Sequence, residues 1–105
     1  VKVIDHEHYS WYLFEKDDAL FLDVLCNISF AQYSWMIQLN AEEVAEYREQ
    51  GRYYISRLAR DIQYTAPLAK DTTSIYRDRN VSHQYGAEVH QAVAEWGARS
   101  EGLLQ

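Results

Sequence analysis

The side chains best equipped for chemistry lie in the N-terminal half of this chain. Asp5-His6-Glu7-His8 sets two imidazoles two residues apart. On a strand both project from one face, about 6.5–7 Å apart along the backbone. That spacing lets two histidines share one ion, but a third ligand is needed, and Asp23 is the one that strand pairing offers. His83 and His90 are seven residues apart, about 10.5 Å on a helix, too far for joint chelation. No metal is expected, and these histidines read as surface groups.

A second constellation is larger. If residues 8–14, 19–26 and 29–39 are three strands of a meander, one sheet face carries His8, Ser10, Tyr12, Phe14, Phe21, Asp23, Leu25, Phe30, Gln32, Ser34 and Met36. Ser10, Asp23 and Gln32 then form one cross-strand row at about 5 Å spacing, flanked by His8 and Tyr12. A carboxylate among aromatic and hydrogen-bonding groups reads as a binding surface made of His8, Ser10, Tyr12, Asp23 and Gln32. The bland reading of the same residues is a solvated outer face, which antiparallel sheets commonly have. Catalysis by a carboxylate beside a histidine needs a concave, water-poor setting that the sequence does not supply.

Cys26 has no cation or helix N-terminus placed near it, so it reads as a small core residue rather than a nucleophile. A Gly-rich phosphate loop, a nucleophile elbow, a Cys-x-x-Cys pair and a His-Glu-x-x-His helix are all missing from the sequence. No catalytic residue is assigned and no cofactor is expected.

The elements that position these groups follow from patterning. The three aromatic and β-branched segments are separated by Glu15-Lys16-Asp17-Asp18 and Cys26-Asn27-Ile28-Ser29. Pairing Leu13 with Leu20, and Leu22 with Tyr33, puts Tyr9, Trp11, Leu13, Leu20, Leu22, Val24, Ala31, Tyr33, Trp35 and Ile37 on one uncharged face. Asn40-Ala-Glu-Glu resembles a capping box. Val44, Tyr47, Gly51, Tyr54, Ile55, Leu58 and Ile62 extend one apolar stripe to a stop before Pro67. Glu49 with Arg52, and Arg57 with Asp61, are expected pairs on its wet side. Residues 67–81 read as a long polar loop. A second helix is predicted from His83 to Trp96, with Ser82 as cap, Tyr85, Val89, Ala92, Val93 and Trp96 as stripe, and Gly97 as stop. Residues 97–105 read as a frayed tail. The expected fold is a single α+β domain over residues 1–105: a three-stranded antiparallel meander covered on one face by two helices.

Composition narrows the classes. A chain of 105 residues, 48% apolar with nine Tyr and three Trp, can bury one core without staples. Its formal charge is -6, and ten Lys and Arg are scattered among sixteen acids, which disfavours nucleic acid and anionic lipid. A single cysteine excludes an intrachain disulfide and favours a reducing compartment. The first residues are too polar for a signal peptide, and the apolar runs are far short of the roughly 20 residues a spanning helix needs. The expectation is therefore a small cytoplasmic domain without catalysis that binds another protein, basic by charge complementarity, or a second copy of itself as a homodimer. An inhibitor or immunity-type protein fits that class. The alternative expectation is a small-ligand binder or enzyme using His8, Ser10, Tyr12 and Asp23.

Overall fold

The computed structural model describes residues 2–8, 10–28, 31–69, 74–81 and 91–96. It is an α+β fold built on four antiparallel strands, one more than expected: β1 (Lys2–Glu7), β2 (Trp11–Lys16), β3 (Ala19–Ile28) and β4 (Ala31–Gln38), adjacent in chain order. The additional strand is β1. It carries a bulge between Val3 and Asp5, and its neighbours Val3 and Ile4 pack in opposite cores, as alternation along a strand requires. Asp17 and Asp18 both take positive φ, 50° and 68°, as the two central residues of a primed hairpin turn must. Aspartate tolerates that region because its side chain is short and polar. The tight turn lets Lys16 pair with Ala19, so the strands run longer than the four-residue turn read from the sequence.

Register shifts with it. Leu13 faces Leu22 rather than Leu20, and Leu22 faces Ile37 rather than Tyr33. Both slips are even, two residues in the first hairpin and four in the second, so the described side chains paired in these strands keep their faces. Trp11, Leu13, Leu20, Leu22, Val24, Cys26, Trp35 and Ile37 are all buried in one cluster with Leu39, Ile55, Leu58, Ala59, Ile62 and Tyr76.

Two helices, α1 (Ala41–Gln50) and α2 (Arg52–Thr65), supply the covering layer. The expected single helix is broken at Gly51, whose φ of 67° and ψ of -146° leave helical space. Its N–H still donates to the Tyr47 carbonyl at 2.7 Å. Asn40 and Glu43 form the expected reciprocal capping box. Glu43 is not solvated, however. It is buried, and its carboxylate takes both Nη1 and Nη2 of Arg79 at 2.9 and 2.5 Å.

That ion pair organises the stretch expected to be a polar loop. Tyr76 enters the core and its carbonyl accepts from Trp35 Nε1 at 2.9 Å. A 3-10 turn at Arg77–Arg79 follows, Asn80 bridges Ile37, and the Val81 N–H donates to the Met36 carbonyl at 2.8 Å. The outer edge of β4 is thus occupied there. At the opposite edge, β1 carries Lys2, Asp5, His6 and Glu7 together with its bulge, features that oppose strand addition.

The second correction concerns layers. Residues 91–96 are helical, but they do not join α1 and α2. Ala92 and Val93 pack on Phe14, Phe21 and Met36, on the face expected to be free. The sheet is sandwiched between two helical layers because both of its faces are apolar. The remainder of that predicted helix, including Ser82, His83, Tyr85, Val89 and His90, lies outside the described residues, as do Tyr9, Phe30 and 97–105.

Candidate functional site

Cross-strand pairing builds one row through the sheet: His6 opposite Tyr12, Tyr12 opposite Asp23, Asp23 opposite Met36. The His6 ring stacks on Tyr12 at 5.4 Å and meets Trp96 edge-on at 4.2 Å. Tyr12 meets Trp96 at 6.1 Å and Phe14 at 6.0 Å. Asp23 is half-buried in this aromatic setting and accepts no hydrogen bond from a described residue. Burial therefore pushes its carboxyl up from 3.8 to about 6.

The expected row of Ser10, Asp23 and Gln32 is not what the register assembles. Ser10 sits in the β1–β2 turn, where its Oγ accepts from Gln63 Nε2 of α2 at 3.4 Å. Gln63 also donates to the Leu25 carbonyl at 2.9 Å. Gln32 is exposed opposite Asn27, four residues or about 13 Å along the strand from Met36. His8 is exposed in the same turn as Ser10. Of the five candidates only Tyr12 and Asp23 come together, joined by His6. Tyr12 separates His6 from Asp23, so the sketched metal site does not form. No group of three or more His, Cys, Asp and Glu able to hold a metal is found among the described residues.

Cys26 is buried, and burial raises its thiol to about 11 despite the Tyr33 hydroxyl beside it. Burial likewise pushes the Tyr33 hydroxyl up to about 12. A neutral, enclosed thiol is no nucleophile. Two shallow open grooves run along the end of the sheet, one bounded by Asp17, Leu20, Val44 and Arg48, the other by Gln38, Arg79 and Val81. Neither reaches Asp23.

Among the described residues, large exposed apolar side chains gather on α2 and just beyond it. Ile55, Leu58, Ala59 and Ile62 face the core. Tyr53, Arg57, Arg60 and Tyr64 recur at i, i+4, i+7 and i+11 on the opposite side of the helix. Tyr53 is 65% exposed and Tyr64 89%, and beyond the helix Leu68 is 52% and Ile75 76% exposed. A Thr65–Ser74 hydroxyl contact of 2.8 Å ties the end of α2 to the segment carrying Ile75. The Arg57 guanidinium lies over the Tyr53 ring at 5.8 Å. Among the described residues neither Arg57 nor Arg60 forms an ion pair with a carboxylate, so the expected Arg57–Asp61 pair is not made, and Arg52 turns from the expected Glu49 to another acid. Arg52 instead pairs with Asp5 at 2.7 Å and covers Trp11 at 5.1 Å. The signal for this stripe was present in the helical period, on the side opposite the one that burial selects.

No family model matches the sequence, and comparison with curated proteins and with solved structures found no match.

Proposed function

We propose that this chain is a protein-binding domain without catalytic activity, and that it docks through the outward face of α2. The observation that carries the reading is the stripe of Tyr53, Arg57, Arg60 and Tyr64, continued by exposed Leu68 and Ile75. Tyrosine and arginine dominate binding hot spots because each offers a large flat contact and a polar tip at modest entropic cost. Single exposed hydrophobics are ordinary, whereas several on one stripe make a patch.

The narrower reading is a small inhibitor or immunity-type protein. Its partner is another protein or a second copy of this chain. The net charge of -6 favours a basic partner on the acidic remainder of the surface, while the α2 face itself suits carboxylates. Two arginines do not make a phosphate track, so nucleic acid is not the proposed partner. Among the described residues no helix is long and apolar enough to cross a membrane. The cytoplasm is the proposed compartment, on the ground of a single, buried cysteine.

Affinity capture from the native lysate tests the reading when wild type and a Tyr64→Ser/Leu68→Ser variant are run side by side. A stoichiometric partner retained by wild type and lost by the variant is the expected result. A missing partner, or one indifferent to the substitutions, removes it.

One observation favours a second reading, a small-ligand site. Asp23 is a half-buried carboxyl with a pKa near 6 and no hydrogen-bond partner among the described residues, beside Tyr12, and groups so perturbed cluster at functional sites. In that case Asp23→Asn abolishes ligand binding or turnover without lowering the melting temperature.

A further inference from the structure

We propose that the groove between the β2–β3 turn and α1 binds a small zwitterion with an aliphatic side chain, an amino acid or a dipeptide. The ammonium lies against Asp17 and Asp18, the carboxylate against Arg48, and the side chain on Leu20, Leu39 and Val44. This site shares no residue with the α2 stripe or with the row through Asp23, so it stands apart from both.

Three elements build the groove. The hairpin turn contributes two adjacent acids, both exposed and both at positive φ. The end of the sheet supplies an apolar floor. Leu20 and Leu39 there are buried, and the Leu39 N–H donates to the Leu20 carbonyl at 2.8 Å. The Asn40 cap then starts α1, and Ala41, Val44, Ala45 and Arg48 follow at i, i+3, i+4 and i+7 on the side that lines the groove. Two of those four are alanines, so the helix leaves space rather than filling it. The trough holds about 380 Å³, inside the roughly 300–1,000 Å³ of small-ligand sites.

Its charges select the ligand. Arg48 and the two aspartates line one trough, yet among the described residues none of the three forms an ion pair. They stand too far apart to neutralise each other directly, and a ligand carrying both signs reaches both. A simple anion meets two acids here, and a simple cation meets Arg48. An uncharged apolar molecule strips water from all three. Two acids suit an ammonium, whose three N–H donors can be shared between carboxylates, while one guanidinium grips a single carboxylate as a fork. An aliphatic side chain covers what Leu20, Leu39 and the half-buried Val44 still show to water. Because the trough is open, water screens each ion pair, and dissociation is expected on the order of 1 mM.

An amide chemical-shift titration of the full chain with L-leucine and with L-leucyl-glycine, each to about 20 mM, tests the site. At least one is expected to give saturable shifts at Ala19, Leu39, Ala45 and Arg48. For the tighter of the two, the N-acetyl form lacks the ammonium and the C-terminal amide lacks the carboxylate. Each blocked form is expected to bind at least about threefold more weakly. Arg48→Gln is expected to erase the difference between the free and amidated ligand, and Asp17→Asn/Asp18→Asn the difference between the free and acetylated one. Asparagine also tolerates positive φ, so the turn is kept. Amide shifts unchanged away from the groove show that each variant is folded. No saturable shift with either probe, affinities indifferent to both variants, or a blocked form that binds as well as the free one overturns the site. Its loss leaves the α2 docking reading untouched, since Tyr64 and Leu68 take no part in it.

Discussion

A carboxylate set between Tyr12 and Met36, on the face where Ala92 and Val93 pack, finds no hydrogen-bond donor among the described residues to offset the water it loses. Asp23 consequently holds its proton up to a pH near 6 in the folded chain, against about 3.9 when unfolded. The penalty on folding is absent below about pH 4, grows between pH 4 and 6, and is complete above pH 6. At about 1.4 kcal/mol per pKa unit it amounts to roughly 1–3 kcal/mol, the lower end allowing for the water this half-buried group keeps. Asp23→Asn is therefore expected to raise the melting temperature by several degrees at pH 7.5 and to leave it unchanged at pH 4. Thermal unfolding followed from pH 4 to 8 measures this, and an unchanged midpoint at pH 7.5 contradicts the assignment. Cys26, its thiol raised to about 11, is expected to resist thiol reagents at pH 8 until denaturant opens the core.

Among the elements, α1 and α2 depend on a residue each at their join and on a partner outside them. Gly51 adopts φ 67°, where an L side chain is strained, so Gly51→Ala should cost about 1 kcal/mol or more although no atom blocks the new Cβ. A denaturation midpoint equal to wild type would show that the break is not fixed. Glu43 is buried under Arg79, which also donates to the Gln38 carbonyl at 2.8 Å. Arg79→Ala strands that carboxylate, and a loss of roughly 3–5 kcal/mol is expected in chemical denaturation. A surface-like loss below about 1 kcal/mol would mean that the pair is solvated. From sequence, the Asn40 cap and the stop at Ala66 were both legible, because caps are local chemistry. Arg79 as the partner of Glu43 was not, since the two are far apart in the chain.

At the scale of the whole molecule, the sheet has two apolar faces and needs two covers. Trp35→Ala removes the ring that fills the α1–α2 side and donates to the Tyr76 carbonyl, and is expected to cost about 3–5 kcal/mol. Truncation after residue 90 strips the other side, exposing Phe14, Phe21 and Met36. It is expected to raise the fluorescence of an apolar dye and lower the melting temperature. A truncated chain that neither binds dye nor melts earlier would leave the second cover without a role. This cover is what separates the expected binding surface from the observed one. With residues 91–96 on the Asp23 face, the large uncovered apolar groups among the described residues are Tyr53 and Tyr64 of α2 with Leu68 and Ile75 beyond it.

The residues alone determined which side chains share a sheet face, because alternation on a strand survives any even slip of register. They determined the acidic balance, the capping box and the core stripe of α2, all set by spacings within a few residues. Only the tertiary structure decided that Asp23 neighbours Tyr12 and Met36, that Ser10 turns to Gln63, and that the C-terminal helical residues cross to the opposite face. Those outcomes depend on turn geometry and on which of two apolar surfaces a helix covers. Both are choices among long-range contacts that local periodicity leaves equal.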